Sequence, residues 1–119
     1  METLSEPPPV ELVIGQTTEE FQILHVVLRV PAVGVEVLGM LRLPEELRWD
    51  RGVVINGRAP VWLYAALVHL CHPARWIATV DPRLGGAVVV VRHHPDAPAI
   101  GQVIPLAPEL IAIPTQAAD

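Results

Sequence analysis

Apolar residues fall in short, nearly uninterrupted blocks, and proline or glycine closes almost every block. Residues 10–15 (VELVIG) and 21–30 (FQILHVVLRV) are rich in branched side chains and too poor in polar positions for surface helices, so both read as strands. Pro31 stops the second. Residues 33–43 (VGVEVLGMLRL) read as a third strand, with Gly34 and Gly39 as bulge positions and Pro44 as its end. A turn or single helical turn over PEELRWDRG leads into GVVIN, a short strand ending at Gly57. Pro60 then suits the first turn of a helix, where its missing N–H costs nothing. Residues 61–71 are apolar on nearly every face, which predicts a helix that is mostly buried, ended by Pro73. WIATV, a tight turn at DPRLGG and the continuous strand AVVVVR follow; HHPDAP breaks the chain, and GQVIPL is a last short strand. The pattern predicts an α/β fold with a mixed central sheet: a lead-in at 1–9, one domain over 10–105 and an irregular tail over 106–119.

Length and composition narrow the class. With 119 residues, about half of them apolar, the chain makes one globular domain with a real core. No apolar run approaches the roughly 20 residues that span a bilayer. The acidic, proline-rich start METLSEPPPVEL is unlike a signal peptide, and the single cysteine, Cys71, forms no internal disulfide. A reducing cytoplasm and no membrane partner are the expectation.

Charge changes the picture. The net charge of −5 argues against a general nucleic-acid coat, yet Arg51, Arg58, Arg75, Arg83 and Arg92 face only Asp81 between Arg51 and His94, a local charge of +4. Such a patch suits an anion of limited size, while a long duplex is repelled by the acidic remainder. All-arginine usage is also what a GC-rich genome gives.

Three constellations carry candidate chemistry. Gly57-Arg58-Ala59-Pro60 joins a strand to a helix N-terminus, whose unpaired N–H groups and dipole favour anions; Arg58 adds a fork for phosphate. The dull reading is an ordinary turn. His69 and His72 share a helix face at i and i+3, a spacing that holds one metal or complements the helix dipole. With Cys71 as the one cysteine, structural zinc is discounted. Asp81 and Arg83 follow a strand directly in Asp-Pro-Arg, which is also a common turn starter. If DPRLGG closes a hairpin, His93 and His94 lie at the far end from Asp81, so that either His93 is not catalytic or a site is completed across an interface. Ser5 is the one serine, which excludes a serine triad; Cys71 in an apolar helix is a poor nucleophile. His25, within an apolar strand, reads as a core histidine.

Taken in order, GVVINGRAPVWLYAALVHLCHPARWIATVDPRLGGAVVVVRHH resembles the CRISPR-associated Csx-three family, the third class of ring nuclease. That family has a strand ending in Ser-Gly-Arg-Gly-Pro-Ile-Trp-Leu-Tyr, then His-x-x-His, then Tyr-Asp-Pro-Arg-Leu-Gly and a valine-rich strand ending in histidine. Gly57, Arg58, Pro60, Trp62, Leu63 and Tyr64 match the first motif; His69, His72 and 81–85 match the rest. The chain departs at Asn56, where the family has serine, at Leu70, usually acidic, and at Cys71, usually tyrosine. The resemblance implies a small α/β fold related to CRISPR-associated Rossmann-like domains. It also implies homodimers that pair as a tetramer around cyclic tetra-adenylate, and manganese (Mn2+)-dependent cleavage of that ring. By motif position His72, Asp81 and Arg83 would be catalytic, with Asp81 and His72 as metal ligands. Asn56, Gly57, Arg58, His69 and His93 would bind substrate. The family is also described as a manganese-dependent RNA deadenylase, which makes RNA 3′ ends a second substrate; a non-catalytic ring-binding module is the remaining alternative.

Overall fold

The computed structural model describes residues 8–114. Six strands form one sheet in sequential order: β1 (Val10–Thr17), β2 (Phe21–Leu28), β3 (Gly52–Gly57), β4 (Trp76–Asp81), β5 (Gly86–Arg92) and β6 (Val103–Pro105). β2, β3 and β4 are parallel, while β1, β5 and β6 pair antiparallel to their neighbours. The mixed sheet is therefore as its patterning predicts. The Rossmann relation implied by the resemblance is not shown by this topology: the strands follow in sequential order, without the order reversal of a doubly wound sheet.

Two clusters of side chains cover the two faces. On one face the helix α1 (Val61–Leu70) places Leu63 and Leu67 against Leu24, Val26, Val53 and Ile55. On the other, Ile23, Val54, Trp76, Ala78 and Val89 are covered by Leu106, Leu110 and Ile111. Residues 106–114 are thus part of the fold rather than an appended tail, because they supply the apolar cover that the second face has from no helix. Residues 1–7 of the expected lead-in and 115–119 lie outside the described residues.

Two expectations are corrected. The segment read as a strand over 33–43 is a 3-10 helix at Val35–Met40, with Val37 alone buried. Its glycines and β-branched residues mimic a strand, but it crosses between the parallel strands β2 and β3, and both edges of β2 are already paired. The helix α1 is not mostly buried: Leu63 and Leu67 are fully enclosed, while Val61 is 84% and Leu70 38% exposed. One helix on one sheet face buries one stripe, whatever its other positions contain.

Candidate functional site

The parallel strands β3 and β4 end side by side, at Gly57 and Asp81. Gly57 has no side chain because a Cβ there would meet Val26 of the adjacent strand. Its N–H donates to the Tyr64 hydroxyl at 2.8 Å, and that hydroxyl donates back to its carbonyl. Both backbone groups of Gly57 are thus engaged by Tyr64, whose motif position gave no sign of this role. Beyond it Arg58 is exposed, and Pro60 begins α1 with no side-chain cap. The first-turn N–H groups of Val61 and Trp62 have no intrahelical acceptor and are open to an anion.

Asp81 caps the short 3-10 turn Pro82–Leu84 by accepting from the Arg83 N–H at 3.0 Å. The Arg83 guanidinium donates to both carboxylate oxygens, at 3.2 and 3.1 Å. Hydrogen bonding and charge from Arg83 hold the Asp81 carboxyl below its ordinary range. Gly85 closes the turn with φ 70°, a left-handed conformation that favours glycine.

A crevice of about 320 Å3 opens at these strand ends, walled by Val80, Pro82, Pro108, Ile111 and Ile113, with Asn56 and Arg58 as its polar side chains. Asn56 is buried, and its Nδ2 donates to the Ile111 carbonyl at 2.9 Å.

Four of the five histidines, His69, His72, His93 and His94, lie at the opposite end of the sheet, while His25 pairs with Asn56. α1 runs back from the β3 terminus to the start of β4, which carries His69 and His72 away from Asp81. Five residue steps separate Trp76 from Asp81, roughly 17 Å of strand. His72 Nδ1 lies 3.2 Å from the His69 carbonyl, and His93 Nδ1 lies 3.1 Å from the Ala74 carbonyl. A carbonyl only accepts, so each Nδ1 carries a proton, and Nε2 is the nitrogen that each ring leaves for another partner. The rings of His69 and His72 stack with centroids 6.0 Å apart. Within one chain, then, His72 and His93 do not meet Asp81, as the hairpin argument anticipated for His93. Among the described residues no three His, Cys, Asp or Glu side chains form a metal-binding group. Carboxylate and imidazole are donor types that suit manganese, but one chain does not bring Asp81 and His72 together.

A larger cleft, about 510 Å3, lies near the histidine end against Phe21 and Trp76. Glu19, Glu20, Asp50 and Asp96 line it, and its two arginines are engaged: Arg51 by Asp50 and the Thr18 carbonyl, Arg75 by His94 at 2.8 Å. It suits a polyanion less well than the smaller crevice beside Arg58.

A family profile described as CRISPR-associated protein (Cas_csx3) matches residues 27–105. An uncharacterized protein of Aquifex aeolicus (strain VF5) is 52% identical over 52 residues, which cover 44% of this chain and 46% of that protein. The chain thus spans about half the length of this curated relative.

Proposed function

The chain belongs to the CRISPR-associated Cas_csx3 family, and from that premise we propose that it is a ring nuclease that opens cyclic tetra-adenylate and so silences type III CRISPR signalling. The observation that carries this reading is the grouping of Arg58, the uncapped N-terminus of α1 and the Asp81–Arg83 pair at one sheet end. A compact cyclic anion matches it in charge and size better than a duplex does.

In this reading Arg58 and the first turn of α1 hold one phosphate, and Arg83 stabilises the charge that grows on the scissile phosphate. The ring supplies its own nucleophile, a ribose 2′-hydroxyl. His72 presents Nε2, oriented by its Nδ1–H bond to the His69 carbonyl, as the group that takes or returns a proton. Since His72 and Asp81 lie at opposite ends of one sheet, a working site takes Asp81 and Arg83 from one copy and His72, with His69 and His93 beside it, from another. Homodimers paired around the ring would meet that need. Manganese would be held by Asp81 at that junction, with His72 Nε2 serving either as its second ligand or as the proton carrier, and it would neutralise phosphate charge.

Incubation of the protein with cyclic tetra-adenylate, with manganese or with chelator, followed by chromatography, tests the reading. Linear di- or tetra-adenylate formed with manganese alone is expected. An intact ring that co-elutes with the protein would make it a binding module; an intact, unbound ring would turn attention to RNA with an adenosine 3′ end. Asp81→Asn is expected to abolish cleavage and retain ring binding; full turnover in that variant would remove Asp81 from the mechanism.

A further inference from the structure

The smaller crevice contains a polar atom that the fold leaves unused. Asn56 is 5% exposed, at the end of β3. The Ile111 carbonyl can only accept, so the amide atom 2.9 Å from it is Nδ2. The same Nδ2 lies 3.1 Å from His25 Nδ1, which must then accept; the His25 proton therefore sits on Nε2. His25 is itself fixed from behind, since Gly15 packs so close to its ring that a methyl there would overlap it. Both amide hydrogens of Asn56 are thereby spent, and its Oδ1 has no hydrogen-bond partner among the described residues. Nor is Oδ1 sealed, because Arg29 Nε is the one fully enclosed, unpartnered side-chain atom among them. Asn56 lines the crevice, so the free edge of its amide is an acceptor turned toward that space.

Around this acceptor the walls are apolar, and Arg58 stands beside it. A slot of about 320 Å3 is at the small end of ligand pockets, which run from ~300 to ~1,000 Å3. It has room for one planar base, with the attached phosphate held outside by Arg58.

We propose that Asn56 reads the base: its Oδ1 accepts a hydrogen bond from the exocyclic N6 amino group of an adenine seated in the crevice. A purine with oxygen at that position would set two acceptors against each other. This rests on the nucleotide reading given above, and it assigns the base specificity to Asn56 and to the C-terminal segment that orients its amide.

The test uses ligands that leave the protein unchanged. Adenosine 5′-monophosphate, inosine 5′-monophosphate and the N6,N6-dimethyl derivative of the first are titrated into 15N-labelled protein. Adenosine monophosphate is expected to shift the Asn56 side-chain amide and the signals of Ile111, Ala112 and Ile113. The other two should bind about ten-fold more weakly or worse, the cost of leaving a buried acceptor unpaired. Equal binding of all three overturns the proposal, as does binding that leaves the crevice signals unmoved, or none. In Asn56→Ser, checked for an unchanged melting curve, the preference should vanish. Adenine preference without ring cleavage would refute the nuclease reading alone. A cyclic tetra-inosinate opened as fast as the adenylate would refute the base assignment alone.

Discussion

At the scale of single residues, environment decides which reactive groups are available. Cys71 is fully enclosed at the C-terminal end of α1, and burial pushes its thiol up to about 12. It should therefore resist thiol reagents at pH 8 in the native protein and react at once in urea; a rapid native reaction, followed by absorbance, would contradict the buried placement. Asp81 differs in kind: hydrogen bonding and charge from Arg83 favour its ionised form, so it keeps its charge to a lower pH than an ordinary carboxylate. The inert cysteine and the buried His25 were legible in the sequence, because each sits inside an apolar run whose neighbours must be enclosed. Asn56 was legible only as a site residue borrowed from a family motif. Its partner Ile111 lies 55 positions away, a separation with no local signal.

At the scale of elements, the junction of β3 and α1 depends on one hydroxyl. Tyr64→Phe keeps the ring but leaves the Gly57 N–H and carbonyl without their partner, and a lost hydrogen bond of this sort costs about 1–3 kcal/mol. Urea unfolding should register that loss, and ring affinity should fall with it as Arg58 loses its fixed base. An unchanged unfolding midpoint would mean that water replaces the hydroxyl at no cost. The strands, the helix and their order could be read from blocks of apolar residues, since a strand buried on both faces shows as a continuous run. Residues 33–43 could not, because a crossover that touches the core through Val37 alone carries the same composition as a strand. Nor could the exposure of α1 be read: an apolar helix reports what could be buried, and the number of layers available decides what is.

At the scale of the whole molecule, the two halves of the motif set stand at opposite ends of one sheet. If a site is built from two copies, then His72→Ala and Asp81→Asn, each inactive alone, should restore turnover when mixed, since some junctions join an intact His72 to an intact Asp81. Mixtures as inactive as either variant would place the whole site within one chain. The sequence exposed this split through the hairpin at 81–86, but gave no hint of how the second sheet face is closed. That closure has a consequence for synthesis on the ribosome. Strand order and chain order coincide, so each strand can add to the growing edge as it emerges, with its nearest partner already made. The face bearing Ile23, Val54 and Trp76 nonetheless stays bare until Leu106, Leu110 and Ile111 have left the exit tunnel. The nascent protein thus passes through a stage with its sheet assembled and one side uncovered, when chaperones and other chains compete for that surface with Leu106, Leu110 and Ile111.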